Sequence, residues 1–321
     1  MRSFANAQLV VATHSVEMIN RLGRRDDAVL YSVDRSTGAA KLDSESGLID
    51  AMSAWADLTP FTSLNFLASR RLLFHEGPSD ATVLTLCAEA YFANDPVKLA
   101  AFRRWTFAPL GGSGNVPALA ALKNVIQPKI FPGLAQGDTV RLVLVLDRDR
   151  SREPGTTTSS TGKVAGTEVI WSRNRIESLF LEPEVLARWI AASLAPGGTA
   201  EQALATYVAA AIALVDKDQA LLDAAISDLQ VELLKPGGVK VPAALKEATS
   251  RVRSDPAVWQ KGRDRARRLL EAVREQLPHK ERRHVRSTVS DQLGEARRSR
   301  LSSPVAAVPA ELRALLDNLV S

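Results

Sequence analysis

Val140-Arg141-Leu142-Val143-Leu144-Val145-Leu146-Asp147-Arg148-Asp149-Arg150 is the stretch on which the reading of this chain turns. Its middle is a short apolar run rich in branched side chains, the pattern of a strand buried on both faces, as in a parallel sheet. It stops abruptly at two aspartates. Parallel α/β sheets place ligands beyond the carboxyl ends of their strands. Asp147 and Asp149, two apart in extended chain, leave the same face. A cation between them would relieve their repulsion. A solvated turn would accommodate them too, because Asp commonly starts turns. The run alone leaves both readings open.

Two further strands precede it. Arg71-Leu72-Leu73-Phe74-His75 runs into Glu76-Gly77-Pro78-Ser79-Asp80, a tight strand-to-helix turn in which Gly permits the bend and Pro suits the first helical turn. A helix follows to about residue 92. Residues 105–110 form the next strand, ending in Gly111-Gly112-Ser113-Gly114-Asn115, and Val116, Leu119, Leu122 and Val125-Ile126 then recur at helical spacing. After the opening strand, residues 151–167 are Thr, Ser, Gly and charge and read as a mobile loop. Glu168-Val169-Ile170-Trp171 reads as a fourth strand. Strand, helix, strand, helix, strand makes a small parallel α/β domain over residues 71–182, with helices flanking its sheet.

The flanks differ in character. At the N-terminus, Gln8-Leu9-Val10-Val11-Ala12 and residues 28–33 read as strands, with a return strand to Leu42. That opening suggests the C-terminal part of something longer. Residues 43–70 connect it to the α/β unit. From 183 to 321 the chain reads as an α-helical domain. Apolar residues recur every three or four positions over 185–194, 200–215 and 219–234. After Asp255-Pro256, the residues Trp259, Gly262, Ala266, Leu269-Leu270, Val273 and Leu277 share one helix face.

Composition bounds the function. The 321 residues carry a formal charge of +5, a balance that suits a polyanionic partner without establishing one. One cysteine, Cys87, set among Leu84, Leu86 and Ala88, excludes an intrachain disulfide framework and points to a buried thiol in a reducing compartment. His14, His75, His279 and His284 form no zinc pattern with it. No stretch is long and apolar enough to cross a bilayer and the first residues lack a signal-peptide core, so a cytoplasmic location away from the membrane is expected.

Three strand ends of the α/β unit deliver carboxylates to one edge of the sheet: Glu76 with Asp80, Asp147 with Asp149, and Glu177. Hard oxygen donors of this kind suit Mg²⁺ or Mn²⁺. Without metal they would raise one another's pKa values. Two ions would neutralise them, activate a water and stabilise the leaving oxygen of a phosphodiester.

Leu73-Phe74-His75-Glu76-Gly77-Pro78-Ser79-Asp80 followed by Leu144-Val145-Leu146-Asp147-Arg148-Asp149 resembles the Toprim domain of topoisomerases, primases and certain nucleases. Gln8 to Ser15 looks like the last strand and switch histidine of an ABC-type ATPase, making residues 1–42 the remnant of such a domain. An ABC-type end leading into Toprim is the layout of the OLD (overcoming lysogenization defect) family of nucleases. That resemblance implies a metal-dependent DNA endonuclease with an upstream ATPase domain, and it admits a homodimer. Glu76 would bind the first metal and assist proton transfer, with Asp80 in support. Asp147 would bridge two ions, while Asp149 and Glu177, with Glu182 as the alternative, would hold the second. OLD-type nucleases also carry a catalytic lysine beside a glycine. Lys261-Gly262-Arg263 occupies that place, with Lys261 or Arg263 meeting the pentacovalent charge.

Gly111-Gly112-Ser113-Gly114 lacks the Lys-Ser/Thr of a P-loop, so no nucleotide is expected on this chain alone. The basic run 280–286, with Arg297, Arg298 and Arg300, would track phosphates, or form a solvated helix face. Two other functions fit the same domain. A topoisomerase- or primase-like enzyme would need a nucleophilic tyrosine for strand breakage, and Tyr31, Tyr91 and Tyr207 lie in no evident site. A non-catalytic DNA-binding or regulatory arm of an ATPase would need no acidic cluster.

Overall fold

The structure, a computed structural model, describes residues 10–11, 29–34, 38–42, 65–66, 69–77, 79–110, 139–148, 152–234 and 240–321. The expected first strand apart from residues 10–11, which are not in a strand, His14, the 43–70 connector apart from a few residues, the Gly111–Gly114 turn with its helix, and Asp149 lie outside the described residues. β1 (Leu30–Asp34) and β2 (Gly38–Leu42) pair as an antiparallel hairpin, with Leu30 opposite Leu42.

The fold is α/β. β3 (Arg71–His75), β4 (Thr106–Pro109), β5 (Val140–Leu146), β6 (Gly155–Thr161) and β7 (Val164–Ile170) form one sheet in the order β4-β3-β5-β7-β6. β3 pairs in parallel with β4 and β5, and β5 with β7; β6 alone runs antiparallel, against β7. Every residue of β5 except Arg141 is buried, the consequence of a run with no polar face lying in mid-sheet. From β3 the chain passes outward to β4 and then returns to the other side of β3 as β5. The order therefore reverses between β3 and β5, and the crevice beyond their carboxyl ends is the place where such sheets bind ligands.

α1 (Asp80–Tyr91) and α2 (Pro96–Phe102) connect β3 to β4. Cys87 is fully buried on α1, and burial pushes its thiol pKa up, as expected of a structural thiol. α2 starts on Asp95, whose carboxylate accepts from the Lys98 amide at 3.0 Å, with Pro96 in the first turn.

Residues 151–167 were expected to be a loop, yet they hold the β6–β7 hairpin. Gly162 has φ of 56° at the first position of the two-residue turn, where Gly is favoured. Thr156, Thr157, Thr158 and Thr161 are β-branched and prefer extended backbone. All of β6 is exposed, so it carries no apolar alternation by which a strand is recognised.

Helices make up the remainder: α3 (Pro183–Ser193), α4 (Glu201–Val215), α5 (Gln219–Leu234), α6 (Val241–Ser254), α7 (Pro256–Trp259), α8 (Gly262–Gln276), α9 (Val289–Glu295) and α10 (Ala310–Val320). The single apolar face read after Asp255-Pro256 is divided between α7 and α8. A buried polar knot holds the break. Gln260, fully buried, donates to the Val215 carbonyl at 3.2 Å and accepts from Arg265 at 2.7 Å, and Arg265 pairs with Asp216 at 2.6 Å. The core is continuous from Leu73, Val143 and Trp171 through Leu186, Trp189 and Leu269 to Leu316 and Leu319. A smaller apolar cluster joins α5 to α6. Among the described residues, no helix is long and apolar enough to cross a membrane.

Candidate metal centre

β3 ends at His75, and the next residues turn sharply so that the Asp80 carboxylate folds back onto the Gly77 amide at 2.8 Å. A Cβ on Gly77 would lie 2.7 Å from Asp80 Oδ1, so only glycine permits this return. His75 is buried, with Nδ1 2.8 Å from the Gly77 carbonyl oxygen. Burial lowers its pKa, outweighing that hydrogen bond, and a neutral ring donating from Nδ1 fits the contact. It braces the turn rather than joining the acids.

At the end of β5, the Asp147 amide donates to Glu76 Oε2 at 2.9 Å, joining the two strand ends across the crevice. After β7, a 3₁₀ turn (Ile176–Phe180) brings in Glu177, which is buried and accepts from the Ser79 hydroxyl at 2.8 Å. Glu182, by contrast, is exposed at the start of α3. Glu76, Asp80, Asp147 and Glu177, drawn from three strand ends, thus converge.

The electrostatics register that convergence. Burial, then the neighbouring Asp80, Glu76 and Glu177 charges against the relief from Arg175, push Asp147 up to about 8. Burial pushes Asp80 up to about 7, opposed by its Gly77 hydrogen bond and supported by Glu177. Two arginines answer the acids. Arg152 donates to Glu76 Oε1 at 3.0 Å and to the Asp147 carbonyl at 3.4 Å, and Arg175 Nε lies 3.6 Å from Asp147 Oδ2.

The donors are hard oxygens, the set that Mg²⁺ and Mn²⁺ prefer. As the side chains stand, no three carboxylate or histidine groups among the described residues are spaced around one ion. The hydrogen bonds give the reason: Glu76 is shared between Asp147 and Arg152, Asp80 is turned onto Gly77, and Glu177 onto Ser79. An ion would take over these contacts rather than enter a finished cage.

The Lys261-Gly262-Arg263 segment abuts the same region. The Gly262 amide approaches Asn174 Oδ1 at 3.4 Å, and a Cβ on Gly262 would lie 2.5 Å from Ser178 Oγ, next to Glu177. The Lys261 ammonium itself pairs with Asp228 at 3.1 Å, and Arg263 is exposed. The basic run forms short turns rather than a helix face, and its charges are partly spent on the fold. Arg282 donates to the Leu277 and Glu275 carbonyls, Arg286 pairs with Glu295 at 2.5 Å, and Arg300 donates to the Leu194 carbonyl.

Sequence reading missed Ser79, Arg152 and Arg175. The one available signal was the density of arginines directly after the acidic strand end, at 148, 150 and 152. A separate hollow of about 350 Å³ lies between β7 and α10, beside Thr156, Val169, Glu311 and Leu315, and none of the four acids lines it. Set against family models, curated proteins and solved structures, the chain matches none.

Proposed function

We propose that this chain is the nuclease part of an ATPase–nuclease, hydrolysing phosphodiesters of DNA with two divalent ions, Mg²⁺ or Mn²⁺. The observation that carries the reading is the convergence of Glu76, Asp80, Asp147 and Glu177 from three strand ends at the point where the strand order reverses. The Toprim and OLD resemblance of the same residues supports it, as does the net charge of +5 facing a polyanion. The buried, single Cys87 fits a cytoplasmic setting.

Bound ions would supply Lewis-acid charge at the phosphate and an activated water. Glu76, Asp147 and Glu177 would hold them, with Asp149, and Glu76 would take the proton of the attacking water. Asp80 would support Glu76 from the first turn of α1. Ser79 fixes the rotamer of Glu177, and Gly77 that of Asp80. Lys261 or Arg263 would meet the charge on phosphorus, Lys261 by leaving Asp228.

The test is supercoiled plasmid with Mg²⁺ or Mn²⁺. Nicked and linear products are expected from the parent chain and none from Asp147→Ala; undiminished cleavage by the variant would remove the proposed site. One observation favours a second reading. Arg152 and Arg175 already pair with Glu76 and Asp147, as they could in a non-catalytic DNA-binding arm. Such an arm would bind DNA with no dependence on Mn²⁺ or on Asp147.

A further inference from the structure

We infer that Arg152 is a phosphate-binding residue held on the acids while the site is free of metal, and released to the DNA backbone when a divalent ion arrives. The inference rests on the nuclease reading above. One Arg152 nitrogen touches both Glu76 Oε1, at 3.0 Å, and the Asp147 carbonyl, at 3.4 Å. These oxygens belong to the ends of β3 and β5, the two strands that bound the crevice. A guanidinium there supplies the positive charge that the cluster requires, in the place where an ion would supply it. The contact is sheltered, with the Glu76 side chain 7 % exposed and that of Arg152 19 %.

A divalent ion held by Glu76 would set a second positive charge on the carboxylate that Arg152 occupies, and the repulsion between the two favours release of the guanidinium. Arg152 lies in irregular chain just before β6, outside the sheet ladder, so the side chain can leave without breaking a strand. Once displaced, it stands at the mouth of the crevice beside a bound cation. The group that satisfies a planar five-donor fork next to a metal is a phosphate oxygen pair. Arg175 differs: it is 44 % exposed and 3.6 Å from Asp147, a looser contact that an ion need not break.

Titrating the full chain with Mn²⁺, with free Mn²⁺ followed by electron paramagnetic resonance, tests the displacement. Arg152→Gln removes the competitor and is expected to bind Mn²⁺ about tenfold tighter, the factor a partly sheltered ion pair of about 1.4 kcal/mol would give. Arg152→Lys, which keeps the charge but not the fork, should fall between, and it guards against a folding defect in the first variant. DNA binding in Ca²⁺ and in EDTA tests the phosphate role. Ca²⁺ should strengthen binding by the parent more than by Arg152→Gln, and the salt slope of the variant in Ca²⁺ should be lower by about one phosphate. Equal or weaker Mn²⁺ binding by Arg152→Gln overturns the inference alone. Absence of Mn²⁺ binding by the parent overturns the nuclease reading with it.

Discussion

Asp147 binds a proton in the folded chain at pH values where the unfolded chain has lost it, because its pKa rises from the ordinary 3.8 to about 8. Between those values rising pH favours unfolding, since the folded state holds the extra proton. Asp80 adds to this up to about 7. His75, whose pKa is lowered, acts oppositely, but only below the ordinary histidine value of about 6.5, where the unfolded chain would protonate. The window from about 6.5 to 8 therefore isolates the acids. In EDTA, the melting temperature should fall across that window, and Asp147→Asn should flatten the fall. Saturating Mg²⁺ should do the same to the parent, by holding the carboxylates ionised. A fall of equal size in Asp147→Asn would remove Asp147 as its source. At this scale the acids were legible in the sequence because each ends a recognisable strand or opens the element after it. Their arginine partners were not, because an arginine in a polar loop reads as solvated until the fold brings it to an acid.

The elements that frame the site depend on close approaches that no local pattern announces. Gly262 opens α8 against the 3₁₀ turn of Glu177, where an added Cβ would meet Ser178 Oγ at 2.5 Å and Arg175 Cβ at 3.2 Å. Ser178 is buried and, among the described residues, its hydroxyl has no hydrogen-bond partner, so an added methyl would meet an enclosed side chain. Gly262→Ala should therefore destabilise the chain by about 1–3 kcal/mol, as overpacking does. Adding Ser178→Ala should recover most of that loss, because it removes the clashing oxygen without orphaning a partner. Thermal unfolding of the two variants checks this, and a double variant no more stable than Gly262→Ala would refute the contact. From sequence, Gly262 stood out as part of a Lys-Gly-Arg triplet and as one position on an apolar helix face. Its steric role depends on a turn far upstream. The β6–β7 hairpin escaped for a related reason: an exposed threonine strand is held by its ladder, and backbone pairing leaves no mark in hydropathy.

Over the whole molecule, the parallel sheet and the helical region were both legible from periodicity, while the way they join was not. α10, the last helix, packs back onto the α/β unit through Leu312, Leu315, Leu316 and Leu319, all in the core shared with Leu73 and Val143. Polar contacts fix its far end. Trp105 Nε1 donates to the Leu319 carbonyl at 2.8 Å, and Arg141 donates to the carbonyls of Asn318 and Ser321 at 2.6 and 2.8 Å. The Arg141 guanidinium also lies 5.3 Å from the Trp105 ring centre. This explains why β5 tolerates one charged residue in an otherwise apolar run: Arg141 caps the last carbonyls of α10. At the near end, Glu311 accepts from the Ser172 amide at 2.9 Å, and the Ser172 carbonyl accepts from Arg148, the neighbour of Asp147, at 2.9 Å. Arg141→Ala should cost about 1–3 kcal/mol from these lost hydrogen bonds and the ring contact. Because α10 shares one core with the sheet, the variant should still unfold in a single transition at a lower temperature, with faster amide exchange over 310–320. An early, separate transition confined to α10 would instead show that the helix docks on a unit already complete without it.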